Sequence, residues 1–346
     1  MLRPGVLFSV FAFLFLGSSL AMSQDKAAEE VEPQLWCEYP AGEGIGSEKH
    51  IVLLSGDEEY RSEESMPMLG RLLSQRHGFK CTVIFAISPD DGTIDPDNQQ
   101  NMPGIEALAT ADLVIMSLRF RNLPDEQMKH FDDYVKSGKP IIALRTSTHA
   151  FKMDAKSSYG HYSFNSKEGW TGGFGQQVLG DTWVNHHGNH GKESTAGMIN
   201  PECAEHPILT GVADIWGPTD VYGLRNLPES ASVLVHGQVL AGMEPDSKPV
   251  EGKKNDPMVP VVWTKEFENE NGNTNQVVCT TMGASIDLAN EGLRRLVVNA
   301  SLWLLDMSDE ISPDLNVEPV GAYEPSMFGF KSWTKGRRPA DFNLAK

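Results

Sequence analysis

Three short stretches of the chain gather side chains able to move protons or hold a ligand. The densest is His186-His187-Gly188-Asn189-His190, three imidazoles within five residues. Imidazoles act as general acids and bases near neutral pH and are common metal ligands. Their spacing here matches no helix-borne metal motif, and Gly188 points to a loop. A substrate-facing polar loop is therefore the first reading, and a metal held by imidazoles and a carboxylate is the second. Further on, Asp220 and Tyr222 stand two apart, which on an extended segment puts carboxylate and phenol on one side. Such a pair orients a histidine or binds sugar hydroxyls; the competing reading is an Asx-turn beside a packed tyrosine. The third stretch, Arg145-Thr146-Ser147-Thr148-His149, follows an apolar run. Its hydroxyls are weak nucleophiles without a positioned base, while His149 is readable as a general base or acid, or as a hydrogen-bonded structural histidine.

Side chains so far apart in sequence need elements to bring them together. Ile51–Leu54 is a continuous apolar run that ends in Ser55-Gly56-Asp57, as a buried parallel strand entering a loop does. That loop, through Tyr60 and Arg61, holds carboxylates, a phenol and a guanidinium. Asp57 and Arg61 read equally as ligand groups or as the start of a helix whose dipole favours acids, the reading taken for Glu63 and Glu64. Ser62–Arg76 has helical spacing and stops at Gly78; strands are expected at 81–87, 113–116 and 140–144, with a short helix around 104–108 and an amphipathic one over 125–137. Further strands are expected at 231–235, 259–264 and 276–280, then a closing helix over 291–306, with 244–257 as a surface loop. The alternation predicts an α/β fold, a flavodoxin-like doubly wound, mostly parallel sheet with helices on both faces. Ligands of such sheets bind outside the carboxyl ends of the strands, where the three stretches fall. Between Arg145 and Gly191 periodicity fades while seven aromatic residues and five histidines accumulate, which favours an ordered functional loop over disorder.

Acidic residues outnumber basic ones by 47 to 29, a field that repels nucleic acid and excludes it as a partner. Arg3, the apolar run Val6–Leu16 and small residues at Ser19, Ala21 and Ser23 read as a secretory signal over 1–23, too short to span a bilayer comfortably. The mature chain is then expected in the periplasm or outside the cell, without a stable membrane span. Residues 24–48 read as an acidic leader, 49–307 as one domain, and 308–346 as an irregular tail draped on the surface. Of the four cysteines, Cys81 and Cys279 lie in strand-like runs and read as buried small hydrophobes; a Cys37–Cys203 bridge stays open.

The order of certain pieces resembles the ThuA-like (trehalose-utilisation) family, a branch of the class I glutamine-amidotransferase-like superfamily. The pieces are Leu53–Tyr60, the elbow Ile141–His149, Gly173–His187, His206–Val212, Asp220-Val221-Tyr222, Pro260–Trp263, Thr280–Gly283 and the helix through Leu296–Trp303. The resemblance implies the flavodoxin-like sheet, a place in carbohydrate metabolism that includes processing of keto-sugars, and functional roles for His149, for His186 or His187, and for Asp220 with Tyr222. The cysteine that amidotransferases carry at the elbow is missing, so amidotransfer is not expected. Relatives often have histidine where this chain has Ala284. The expected enzyme is carbohydrate-active: His149 and His187 exchange protons with a sugar and Asp220 orients one of them. Asp57, Tyr60, Arg61, Arg145, His186, His190 and Tyr222 surround the ligand. The alternatives are a non-catalytic sugar-binding module and a metal-dependent hydrolase. Neither a cofactor nor the identity of any metal follows from the sequence.

Overall fold

Alternation of side chains along the strands divides the core in two. In β2 (His50–Gly56), Ile51 and Leu53 join one apolar cluster and Val52 and Leu54 the other. The computed structural model describes residues 34–344, together with residues 1, 2 and 5. The secretory-signal reading and the first part of the acidic leader otherwise lie outside the described residues. The first cluster takes in α1 (Ser62–His77) through Met66, Leu69, Leu72 and Leu73. α2 (Asp125–Lys136) joins the second through Met128, Phe131 and Val135.

Around β2 stand β3 (Lys80–Phe85) on one side and β4 (Leu113–Leu118) on the other, followed by β5 (Ile141–Leu144), all parallel. Beyond β5 the expectation of a doubly wound, mostly parallel sheet needs correcting. The sheet has ten strands and is mixed, so the fold is mixed α/β with a large sheet and few helices among the described residues. β6 (Ser194–Ile199), β7 (Trp216–Gly217), β8 (Ser232–Leu240) and β9 (Val259–Glu268) form an antiparallel wing. β10 (Thr274–Thr280) joins that wing to β5, antiparallel to β9 and parallel to β5. The reason is local: the turn between β9 and β10 spans only residues 269–273, and a parallel return needs a crossover of a dozen residues or more. α3 (Glu291–Leu304) buries Leu293, Leu296, Val297, Ala300 and Leu304 in the first cluster.

Segments on either side of 49–307 pack on this sheet. β1 (Trp36–Tyr39), inside the stretch read as leader, pairs antiparallel with β3, and the compact unit begins at Gln34. The tail belongs to the same unit. Tyr39 donates its hydroxyl hydrogen to the Phe342 carbonyl at 2.8 Å, and Phe342 stacks on Phe85 at 5.8 Å. All four cysteines are free; Cys37, Cys81 and Cys279 are buried, and the Cys37 thiol faces the Pro339 carbonyl at 2.8 Å. No helix among the described residues is long and apolar enough to cross a membrane.

The carboxyl ends of β2, β4, β5 and β10 deliver residues 57–61, 119–121, 145–149 and 281–285 to one rim. The aromatic-rich stretch after β5 is ordered there by short turns at 145–149, 160–162 and 175–179 and by packing of Phe131, Phe151, Tyr162 and Phe174, ring centres 5.0–6.1 Å apart. Gly175 makes this possible, because a Cβ there would collide with the Thr148 carbonyl oxygen on the elbow. Gly175→Ala is expected to cost about 1–3 kcal/mol, the usual penalty of overpacking. Urea unfolding measures it, and an unchanged midpoint would refute the close approach.

Candidate functional site

Asp220, 1 % exposed, is where the rim converges. Its Oδ2 lies 2.5 Å from His186 Nδ1 and its Oδ1 3.0 Å from His190 Nδ1. An ionised carboxylate only accepts, so both imidazoles carry their hydrogen on Nδ1 and donate it to Asp220. In neutral His186 this leaves Nε2 as the free acceptor. Arg145 approaches the same carboxylate, Nη2 to Oδ1 at 3.7 Å, while its Nη1 donates to the carbonyls of Asp220 and, at 2.8 Å, Thr281. Its guanidinium is stacked between the rings of Tyr60 and Tyr222, 4.1 and 4.6 Å from their centres. A buried cation between two π-faces, beside a buried anion, keeps its charge where an isolated one would not.

The histidine loop reaches Asp220 through a short antiparallel ladder. His186 bridges Tyr222, the His187 N–H donates to the Val221 carbonyl at 2.8 Å, and the Gly223 N–H to that of Asn185 at 3.0 Å. Successive side chains of an extended segment point to opposite sides. His186 thus meets Asp220 and Tyr222, whereas His187 Nε2 lies 2.7 Å from the Lys254 carbonyl, away from them. Of this pair, His186 is the ring that faces Asp220. Asp220 and Tyr222 share a side, as their spacing predicts. Gly188 lets the loop lie flat, since a Cβ there would come within 2.9 Å of Asp220 Cβ.

Most of the other expected residues also reach the rim, though two serve the backbone. Asp57 is buried and accepts from the N–H groups of Glu59 and Tyr60 at 2.9 and 3.0 Å and from the Thr146 hydroxyl at 2.5 Å, so it ties the β2 loop to the elbow. Arg61 turns away, donating to the Gly329 carbonyl at 2.6 Å and pairing with Glu63 at 3.3 Å. Tyr60 lines the site under Arg145, and His149 is enclosed by Phe120, Trp183 and Tyr222 at 5.0–5.4 Å. Ala284, where relatives often have histidine, is buried and gives its N–H to Asp287 Oδ2 at 3.1 Å. Not expected from the sequence are Glu59, whose Oε1 is 3.5 Å from His190 Nε2, and its partner Arg119, 3.6 Å from Oε2. Nor are Trp183 and Phe328.

With this geometry in hand, the comparisons with known proteins decide the family. A family model described as ThuA, trehalose utilisation, matches residues 51–304, most of the chain. The chain belongs to the ThuA family. That membership gives it a carbohydrate-related role. A ThuA-like protein of Bacteroides uniformis shares 13 % identity over 80 % of this chain and all of its own, at a TM-score of 0.45. A ThuA-like protein of Parabacteroides merdae shares 15 % over 86 % of this chain and 99 % of its own, at 0.44. No curated protein matches.

The electrostatics of this ThuA-family rim separate its acids and bases. Burial pushes Asp220 up, but the hydrogen bond from His186 and the charge of Arg145 outweigh it and hold the carboxyl below its ordinary value. Glu59 goes the other way: burial, then the nearby Asp57 charge, lift it to about 7 despite Arg119. Burial, helped by the charges of Arg119 and Arg145, holds His149 well below the usual imidazole range, so it is neutral. The Tyr60 hydroxyl and Arg145 Nε and Nη2 are buried without a hydrogen-bond partner among the described residues, a concentration of unspent donors that ligand sites tolerate and cores avoid. A carboxyl raised above its unfolded value of about 4.5 binds its proton more tightly when folded. Its contribution to stability is full below that value and lost as pH rises through about 7. Glu63, buried and likewise raised to about 7, adds to the same fall. Glu59→Gln should flatten part of the decline in Tm across this window, and the double variant with Glu63→Gln should flatten more. Superimposable Tm profiles would rule out burial as the cause.

Proposed function

We propose that this ThuA-family protein is a carbohydrate-active enzyme that isomerises or cleaves a keto-sugar by histidine-based proton transfer. One observation carries the reading: His186 Nδ1 lies 2.5 Å from the buried Asp220 carboxylate. A carboxylate so held fixes the tautomer and orientation of the ring and stabilises the imidazolium that forms when Nε2 takes a proton. A hydrogen on the carbon beside a carbonyl is acidic enough for such a base, and the electron pair it leaves moves onto the carbonyl oxygen as an enolate. Protonation of that oxygen, loss of the hydroxyl proton on the carbon that gave up its hydrogen, and return of the proton to the former carbonyl carbon complete an isomerisation; expulsion of an alkoxide from the carbon next to the enolate, protonated as it leaves, completes a cleavage and leaves an unsaturated ketone. Glu59, lifted to about 7, suits the second proton carrier, since it holds either state near neutral pH. His149, neutral and ring-enclosed, is read as a wall that orients the sugar. Family membership supports the substrate class.

Asp220→Asn and His186→Ala should each lower turnover by about 10²–10⁴-fold, the usual share of a positioned acid or base. Product analysis over a panel of native and oxidised disaccharides reads this, with circular dichroism to verify folding. Unchanged turnover in His186→Ala would reject the role.

A second reading, metal-assisted hydrolysis, is favoured by one feature: donor atoms of His186, His190 and Asp220 all lie within 4.8 Å of one another. Two imidazoles and a carboxylate suit zinc or a similar ion and leave positions for water. Elemental analysis of untagged protein purified without chelators tests it. Stoichiometric metal that Asp220→Asn loses would establish this reading, and metal-free protein that still turns over would eliminate it.

A further inference from the structure

The C-terminal segment lies beyond the matched family span, yet it reaches the candidate site. Rings run along the rim from His190 to His186 at 4.7 Å, on to Trp183 at 6.2 Å, to His149 at 5.2 Å and to Phe120 at 5.0 Å. At its two ends this row meets rings of the tail. Phe328 packs on His190 at 4.9 Å and on Tyr60 at 5.5 Å. Phe330 takes the Arg119 guanidinium at 5.0 Å, and that guanidinium also covers Phe120 at 4.4 Å. Both ends of the row thus meet the tail, one through Phe328 and the other through Arg119, and Glu59 contacts His190 and Arg119 at these two ends.

The tail is tied in place by the site's own loop. The Gly329 N–H donates to the Glu59 carbonyl at 2.8 Å, Arg61 donates to the Gly329 carbonyl at 2.6 Å, and the Ser326 N–H donates to Glu64 Oε2 at 2.8 Å. Arg61, whose side chain leaves the Asp220 cluster, thereby gains a role: it fixes this segment. Phe330 nevertheless stays 54 % exposed. A single exposed ring is ordinary, but this one follows a residue whose N–H and carbonyl are both held by the site's loop, and it packs on the arginine beside Glu59.

We infer that the tail segment 326–330 is a wall of the substrate crevice and that Phe330 is a stacking platform for a pyranose ring, the second sugar of a disaccharide. The inference rests on the carbohydrate reading of the site. One face of a pyranose is lined by C–H groups and packs on an aromatic ring, while its edge hydroxyls seek charged partners. Phe330 offers such a ring beside Arg119, which is bonded to Glu58 and lies 3.6 Å from Glu59. On this inference a monosaccharide fills only the subsite at His186 and leaves the platform empty.

The experiment is calorimetric titration of the full chain with trehalose and with glucose, for wild type, Phe330→Ala, Phe330→Trp and His186→Ala. Phe330→Ala should weaken trehalose about fivefold, the size of one aromatic contact, and leave glucose unchanged, while Phe330→Trp retains affinity. Thermal unfolding checks that these surface changes leave the fold intact. Trehalose held equally by wild type and Phe330→Ala would overturn the platform and leave the proposed activity standing. Loss of trehalose affinity in Phe330→Ala together with undiminished turnover in His186→Ala would keep the platform and reject the proton-transfer role. Wild type that takes up neither sugar would overturn the platform, while turnover of an oxidised disaccharide would leave the carbohydrate reading standing.

Discussion

A carboxylate sealed away from water must have its charge answered, and the arrangement around Asp220 follows from that need. Transfer of an isolated anion into a protein interior costs several kcal/mol even after relaxation, so it persists only when paired and hydrogen-bonded. Arg145 supplies the opposite charge and the two imidazoles supply the hydrogen bonds. Arg145, itself fully buried, is in turn answered by the faces of Tyr60 and Tyr222. Removing any one member leaves another uncompensated, so the group holds its geometry as a unit.

The sheet exists, in functional terms, to let these members meet. Parallel strands β2, β4, β5 and β10 end on the same rim, which brings the Asp57 loop, Arg119, the elbow and the Gly283 turn into reach of one another. The antiparallel wing contributes differently. By running β6 to β9 back and forth it returns the chain to the rim twice, once for the histidine loop before β6 and once for Asp220 after β7. A wholly parallel sheet would need a crossover for each return.

Much of this was legible in the residues. The apolar runs at 51–54, 113–116 and 141–144 announce buried strands because both faces of each are covered, and the rim follows from where such strands end. Asp220 and Tyr222 on one side of an extended segment is likewise a matter of period two. The same parity turns His186 rather than His187 toward Asp220, but it becomes usable only once the ladder partner is known. Glu59 and Arg119 carry no local mark: each is a charged residue in a loop, and only burial beside the other distinguishes them. β1 was hidden for a related reason, since Trp36–Tyr39 alternates too briefly to outweigh the acidic residues before it. The antiparallel wing was obscured because β6 and β7 are short and contain glycine, so hydrophobic pattern gives them little weight.

Three residues at the rim, Arg61, Phe120 and Arg145, hold left-handed backbone conformations with φ of 61°, 51° and 51°. Such conformations cost a residue with a side chain about 1–2 kcal/mol and cost glycine almost nothing. Glycine at these points would relieve that cost while deleting the pairing of Asp220, the ring beside His149 and the clasp on the tail. At Arg145 the loss exceeds the relief, because a buried carboxylate left without its cation costs several kcal/mol, so the twisted backbone there is held by the very charge it positions.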